Sequence, residues 1–164
     1  MVLYFVNYAN KIVNVYMKQR QISEALEAVI AKTAATLSRE GIANSYSDRL
    51  MIELLGDDNS YARRILDSLA GEHGVCVIMR RIVRSLVQPQ YMAHHSPQEH
   101  FDAMCATLIG MTSSEQLTSA HLLYAAAFDS TTMTSQALHS YGINASDVMR
   151  EIERMEMDEV RWVS

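Results

Sequence analysis

The chain says the same thing twice. Ser47-Asp48-Arg49-Leu50-Met51-Ile52-Glu53-Leu54-Leu55-Gly56-Asp57 is echoed 72 positions later by Ser119-Ala120-His121-Leu122-Leu123-Tyr124-Ala125-Ala126-Ala127-Phe128-Asp129. The same spacing separates Leu66 from Leu138, so the register crosses two expected helices without a gap. Open solenoids stack three or more short repeats. A period this long, present only twice, instead implies a duplicated helical unit closed on itself as a pseudo-symmetric pair. The seam between such halves is a place where something can bind.

Helical periodicity fills both units. Ser23 is a plausible N-cap for a helix whose stripe is Leu26, Val29, Ile30, Thr33, Ala34 and Leu37, ended near Gly41. Ser47 opens a shorter helix through Leu55, followed by a turn at Gly56-Asp57-Asp58-Asn59. Asp58 or Asn59 can cap a third helix with Ala62, Ile65, Leu66 and Leu69 inward. Gly71 and Gly74 bracket the next break. A fourth helix carries Val75, Ile78, Met79, Ile82, Val83 and Leu86 and stops at Gln88-Pro89.

In the second unit, Ser96-Pro97-Gln98-Glu99 forms a capping box with proline at the first helical position. Phe101, Met104, Cys105 and Leu108 are its stripe. Thr118 or Ser119 opens the next helix and Thr131 or Thr132 the one after. Asn144-Ala145-Ser146-Asp147 caps the last, which carries Val148, Ile152 and Met155. The reading is all-α: two pseudo-symmetric four-helix repeats packed as one domain. Repeat one spans 22–88, the linker 89–95 and repeat two 96–156. Residues 1–21 form an N-terminal appendage, with Met17 reading as a natural start, and residues 157–164 form an acidic tail. No stretch alternates at period two, apart from a weak hint near Tyr4 to Val6.

Bulk properties narrow the function classes. A net charge of −5 argues against a binder of nucleic-acid phosphates. Arg80, Arg81 and Arg84, beside Ile82 and Val83, read as a solvated helix face. The apolar run Val2 to Val6 is too short for a membrane span or a signal core, so no membrane partner is expected. Cys76 and Cys105 lack metal or redox spacing and read as small buried hydrophobes in a reducing cytoplasm.

At this point the residues resemble a family: the amino-terminal (Clp repeat) domain of the Clp AAA+ protein unfoldases, a double Clp-N motif. Its pattern is Thr or Ser, an acid, then His-Leu-Leu and a small apolar run. Thr118-Ser119-Ala120-His121-Leu122-Leu123 fits, with Ala120 in place of the acid. Tyr46-Ser47-Asp48-Arg49-Leu50-Met51 keeps the acid, with Arg49 in place of histidine. Ala137 to Ile143 resembles the third helix and its turn. The resemblance covers about residues 22 to 155.

It implies a docking module that recruits protein substrates or an adaptor to a Clp-type AAA+ ring and its protease. The implied binding residues are Ser47, Asp48, Arg49, Ser119, Ala120 and His121. Some family members read phosphorylated arginine through the motif's acid, which Ala120 cannot supply.

No G-x-x-x-x-G-K-[ST] segment holds ATP phosphates, so the expectation is a non-catalytic domain without a cofactor. The alternatives are a free-standing adaptor or decoy of the same fold acting in trans, or a helical metal-dependent enzyme. Histidines 94, 95, 100 and 121 offer no HExxH or i,i+4 pair, so no metal site is expected. His121, at a helix N-terminus where a charged imidazolium is disfavoured, reads as a neutral hydrogen-bonding residue tying the helix to the linker. A triad of Ser119, His121 and Asp129 lacks a nucleophile elbow.

Overall fold

The computed structural model describes residues 21–40, 46–86 and 116–163. In chain order these form β1 (Gln21–Ile22), α1 (Glu24–Glu40), α2 (Tyr46–Gly56), α3 (Tyr61–Leu86), β2 (Gln116–Leu117), α4 (Ser119–Phe128), α5 (Met133–Ser140) and α6 (Ala145–Val163). The class is all-α. The only extended pairing among the described residues is β1 beside β2, parallel, with Gln21 opposite Gln116 and Ile22 opposite Leu117. Two residues per strand are too few to show a period-two pattern. The expected fifth helix from Ser96, the linker, Cys105, His94, His95, His100 and the appendage up to residue 20 lie outside the described residues. No helix among those described is long and apolar enough to cross a membrane.

Each helix buries the side its sequence marks as apolar. On α1, Leu26, Ile30 and Thr33 face inward, and the Ser23 hydroxyl accepts from Leu26 N at 3.3 Å to cap the start. On α2 the inward residues are Leu50, Met51, Leu54 and Leu55. Helix α4 is buried on every side from Ser119 to Ala127, as expected of a helix that is apolar all round. Helix α3 is the hub, in contact with α2, α4, α5 and α6.

The break expected at Gly71 and Gly74 is present: Gly71, with φ 70° and ψ 165°, is non-helical and joins two helical segments of α3 across a kink. Three sequence expectations are corrected here. Gly74 is helical and buried. A Cβ there would sit 2.6 Å from Ala70 Cβ and 2.7 Å from the Tyr141 hydroxyl. Its role is therefore close approach, not termination. Cys76 and Val83 are exposed. Each lies one residue, about 100° of helix rotation, past a residue of the buried Val75, Ile78, Ile82 stripe. Finally, the third helix is capped by Ser60, not Asp58 or Asn59. The Ser60 hydroxyl accepts from Arg63 N at 3.0 Å, while Asp57 Oδ1 holds the turn through Asn59 N at 3.0 Å.

Most bonds of the two turns recur at the 72-residue spacing. Ser60 N donates to Asp57 O (3.0 Å), and Thr132 N to Asp129 O (3.1 Å). The Ser60 hydroxyl donates back to Leu54 O, and that of Thr132 to Ala126 O at 2.8 Å. Thr132 Oγ1 accepts from Ser135 N at 2.9 Å, as Ser60 Oγ does from Arg63 N. Asp129 Oδ1 takes Thr131 N at 3.0 Å, as Asp57 Oδ1 takes Asn59 N. Even dissimilar side chains serve the same carbonyls. Arg63 Nη1 reaches Leu55 O at 3.1 Å, and Ser135 Oγ reaches Ala127 O at 3.0 Å.

Candidate functional site

The residues singled out in the sequence lie at the N-termini of α2 and α4. Both ends point into the body of the molecule. Fractional exposure is 2% for Ser47, 0% for Asp48, 6% for Ser119 and 5% each for Ala120 and His121. Arg49 is half-buried. At these side chains the seam is shut.

Asp48 does its work across the seam. Its Oδ1 accepts from Thr134 N at 2.9 Å and Thr134 Oγ1 at 2.7 Å, and its Oδ2 accepts from Met133 N at 3.2 Å. Those amides are the first of α5 and have no acceptor inside their own helix. A carboxylate of α2 therefore caps α5, where the helix dipole also favours negative charge. The same device runs the other way. Ser119, at the start of α4, accepts from Ala62 N, at the start of α3, at 3.1 Å. Ala62 and Thr134 are 72 positions apart, as are Asp48 and Ala120. The Asp48–Thr134 pair thus has an Ala120–Ala62 counterpart, and Ser119 supplies the acceptor that Ala120 lacks.

His121 closes the entrance to α4. Its Nδ1 accepts from Thr118 N at 3.1 Å, filling the place that glutamate or glutamine takes in a capping box. An amide donor requires a lone pair on Nδ1, so the ring proton sits on Nε2. Asp129, the third member of the paper triad, holds its own turn through Thr131 N and Thr131 Oγ1. Sequence reasoning missed Ser60 and Thr134; of the two residues it offered to open α5, the structure uses Thr132. The signal was present: Ser60 and Thr132 keep the 72-residue spacing, with a hydroxyl at both places.

Two charged groups brace this frame. Asp67 Oδ2 accepts from Arg63 Nε at 2.8 Å and holds the guanidinium proton more firmly than usual, outweighing the cost of burial. Glu151 on α6 is buried. Bonds from Arg154 at 2.6 and 3.0 Å hold its carboxyl below the ordinary carboxylate range. Burial opposes this, and the Ser68 hydroxyl on α3 assists. No group of three metal-binding side chains converges among the described residues.

Against protein-family models, curated proteins and solved structures, the chain finds no match.

Proposed function

We propose that the chain is a double Clp-repeat domain, two pseudo-symmetric four-helix units in one body. It would bind protein substrates or an adaptor and present them to a Clp-type AAA+ ring and its protease in the cytoplasm. The observation that carries this reading is the set of turn hydrogen bonds that recurs at 72 residues, from Asp57–Arg63 to Asp129–Ser135. It supports a doubled unit independently of the motif resemblance. On this reading, Ser47, Asp48, Ser119, Ala120 and His121 hold the two helix ends in place. A docking partner meets Arg49 and the surfaces that flank the seam. Phospho-arginine recognition is not part of the proposal, because the Asp48 oxygens already receive Met133 and Thr134. The 164 residues carry no P-loop, so unfolding would be done by an ATPase module on the same or another chain.

The test adds purified chain to a reconstituted Clp-type unfoldase and protease and follows loss of a fluorescent client. Recruitment in trans changes the rate in a concentration-dependent way, upward for an adaptor and downward for a decoy. An unchanged rate, together with a pull-down from cytosol that never enriches an unfoldase, its adaptors or its clients, contradicts the proposal.

A further inference from the structure

Two ridges of exposed charge take no part in the fold. On the second half of α3, Arg80 and Arg84 stand one turn apart with Val83 beside them, 46% exposed. Among the described residues neither guanidinium has an ion-pair partner. Their neighbour Arg81 is engaged by the Ser140 hydroxyl of α5. On α6, Glu153 and Glu156 stand exposed beside Met157, which is 61% exposed. The arginines of α6 are already used within the helix. Arg150 pairs with Asp147 at 2.8 Å, and Arg154 with Glu151 at 2.6 Å and Asp158 at 3.0 Å. Glu153 and Glu156 have no such partner among the described residues.

The ridges are counterparts. Beyond the Gly71 and Gly142 turns the inward stripes align at a spacing of 73, with Val75 matching Val148, Ile78 matching Glu151 and Ile82 matching Met155. That alignment sets Arg80 against Glu153 and Arg84 against Met157. Equivalent outward positions thus carry a positive ridge with one apolar side chain and a negative ridge with one apolar side chain, each about one helical turn, or ~6 Å, long.

We propose that the chain pairs with a second copy of itself. The Arg80–Val83–Arg84 ridge of one copy lies on the Glu153–Glu156–Met157 ridge of the other. A two-fold arrangement makes that contact twice. The occupant follows from the charges: each ridge finds its complement, over the same length, on an identical chain. Exposed ion pairs are individually weak and screened by salt, so the pairing is a low-affinity, salt-sensitive one. It is independent of the recruiting role proposed above.

Sedimentation velocity on the full chain, over a concentration series at low and high salt, tests it. At low salt the mass rises with concentration toward twice the 18.5 kDa of one chain, and high salt returns it to one. The double variant Arg80→Glu/Arg84→Glu is monomeric, and so is Glu153→Arg/Glu156→Arg, both with unchanged circular dichroism. Mixing the two variants restores pairing. A monomer at every concentration, a dimer that neither variant disturbs, or a mixture that fails to pair would each overturn the proposal. So would a monomeric chain that binds a poly-glutamate peptide through Arg80 and Arg84, which assigns the ridge to an acidic partner.

Discussion

Asp48, fully buried, accepts three hydrogen bonds from the start of α5. Removing its carboxylate leaves two amides of α5 and one hydroxyl without an acceptor in a water-free place. Unsatisfied buried donors are expensive, so Asp48→Ala should lower stability by about 2–3 kcal/mol and Asp48→Asn by about 1 kcal/mol. Thr134→Val, which leaves both amides capped, should also cost about 1 kcal/mol. Urea midpoints read all three, and Asp58→Ala, at an exposed position, is the control with a change within about 0.5 kcal/mol. At the mouth of α4, His121→Ala should cost about 1 kcal/mol while His121→Gln, which can still accept from Thr118 N, should retain most of that. Asp48 and Ser119 were singled out in the sequence as binding residues, from their place in the repeated segment. Their capping of α5 and α3 was not readable, because a helix end shows which groups it lacks but not which neighbour in space supplies them. Ser60 was overlooked because Asp58 and Asn59 are good capping types in nearly the same place.

At the scale of elements, helix faces were legible where 3.6-residue spacing was clean. They failed one residue off the stripe, where Cys76 and Val83 turn to solvent. Glycine was ambiguous for a physical reason: it marks both freedom of φ and the need for space. Gly71 and Gly74 separate these roles. Gly71→Ala meets nothing within 4 Å but forces a side chain to φ 70° and ψ 165°, a backbone region kept almost wholly to glycine, a strain of about 1–3 kcal/mol. Gly74→Ala drives a methyl into Ala70 and Tyr141 and should destabilise by about 1–3 kcal/mol despite alanine's better helix propensity. The paired substitution Gly74→Ala/Tyr141→Ala should recover part of that loss in thermal melts, whereas Gly71→Ala should not respond to Tyr141→Ala. The Glu151–Arg154 pair of α6, assisted by the Ser68 hydroxyl of α3, also carries a pH dependence. Glu151 has a folded-state value below its ordinary 4.5, so its contribution is complete at neutral pH. It is lost as pH falls from about 4.5 through the lowered value. Glu151→Gln should therefore flatten the acid side of a stability–pH profile. A profile as steep as that of the unsubstituted chain would mean that Glu151 is not the titrating group.

For the whole molecule, the repeat is the feature from which most else follows. It predicts equal turns, and hydrogen bonds of the two turns recur at the spacing read from the chain. Where a partner would dock was less legible, because the segments that mark the seam in the sequence are buried in building it. The central claim is that the two halves are one cooperative body clasped by caps exchanged between them, Asp48 onto α5 and Ser119 onto α3. Native-state hydrogen exchange at Leu66 and Leu138, buried counterparts in the two halves, tests it most directly. Both amides should open with the same free energy, and in Asp48→Ala both should fall by the same amount. A Leu138 amide that loosens while Leu66 keeps its full protection would show two halves that fold apart, and would contradict the account.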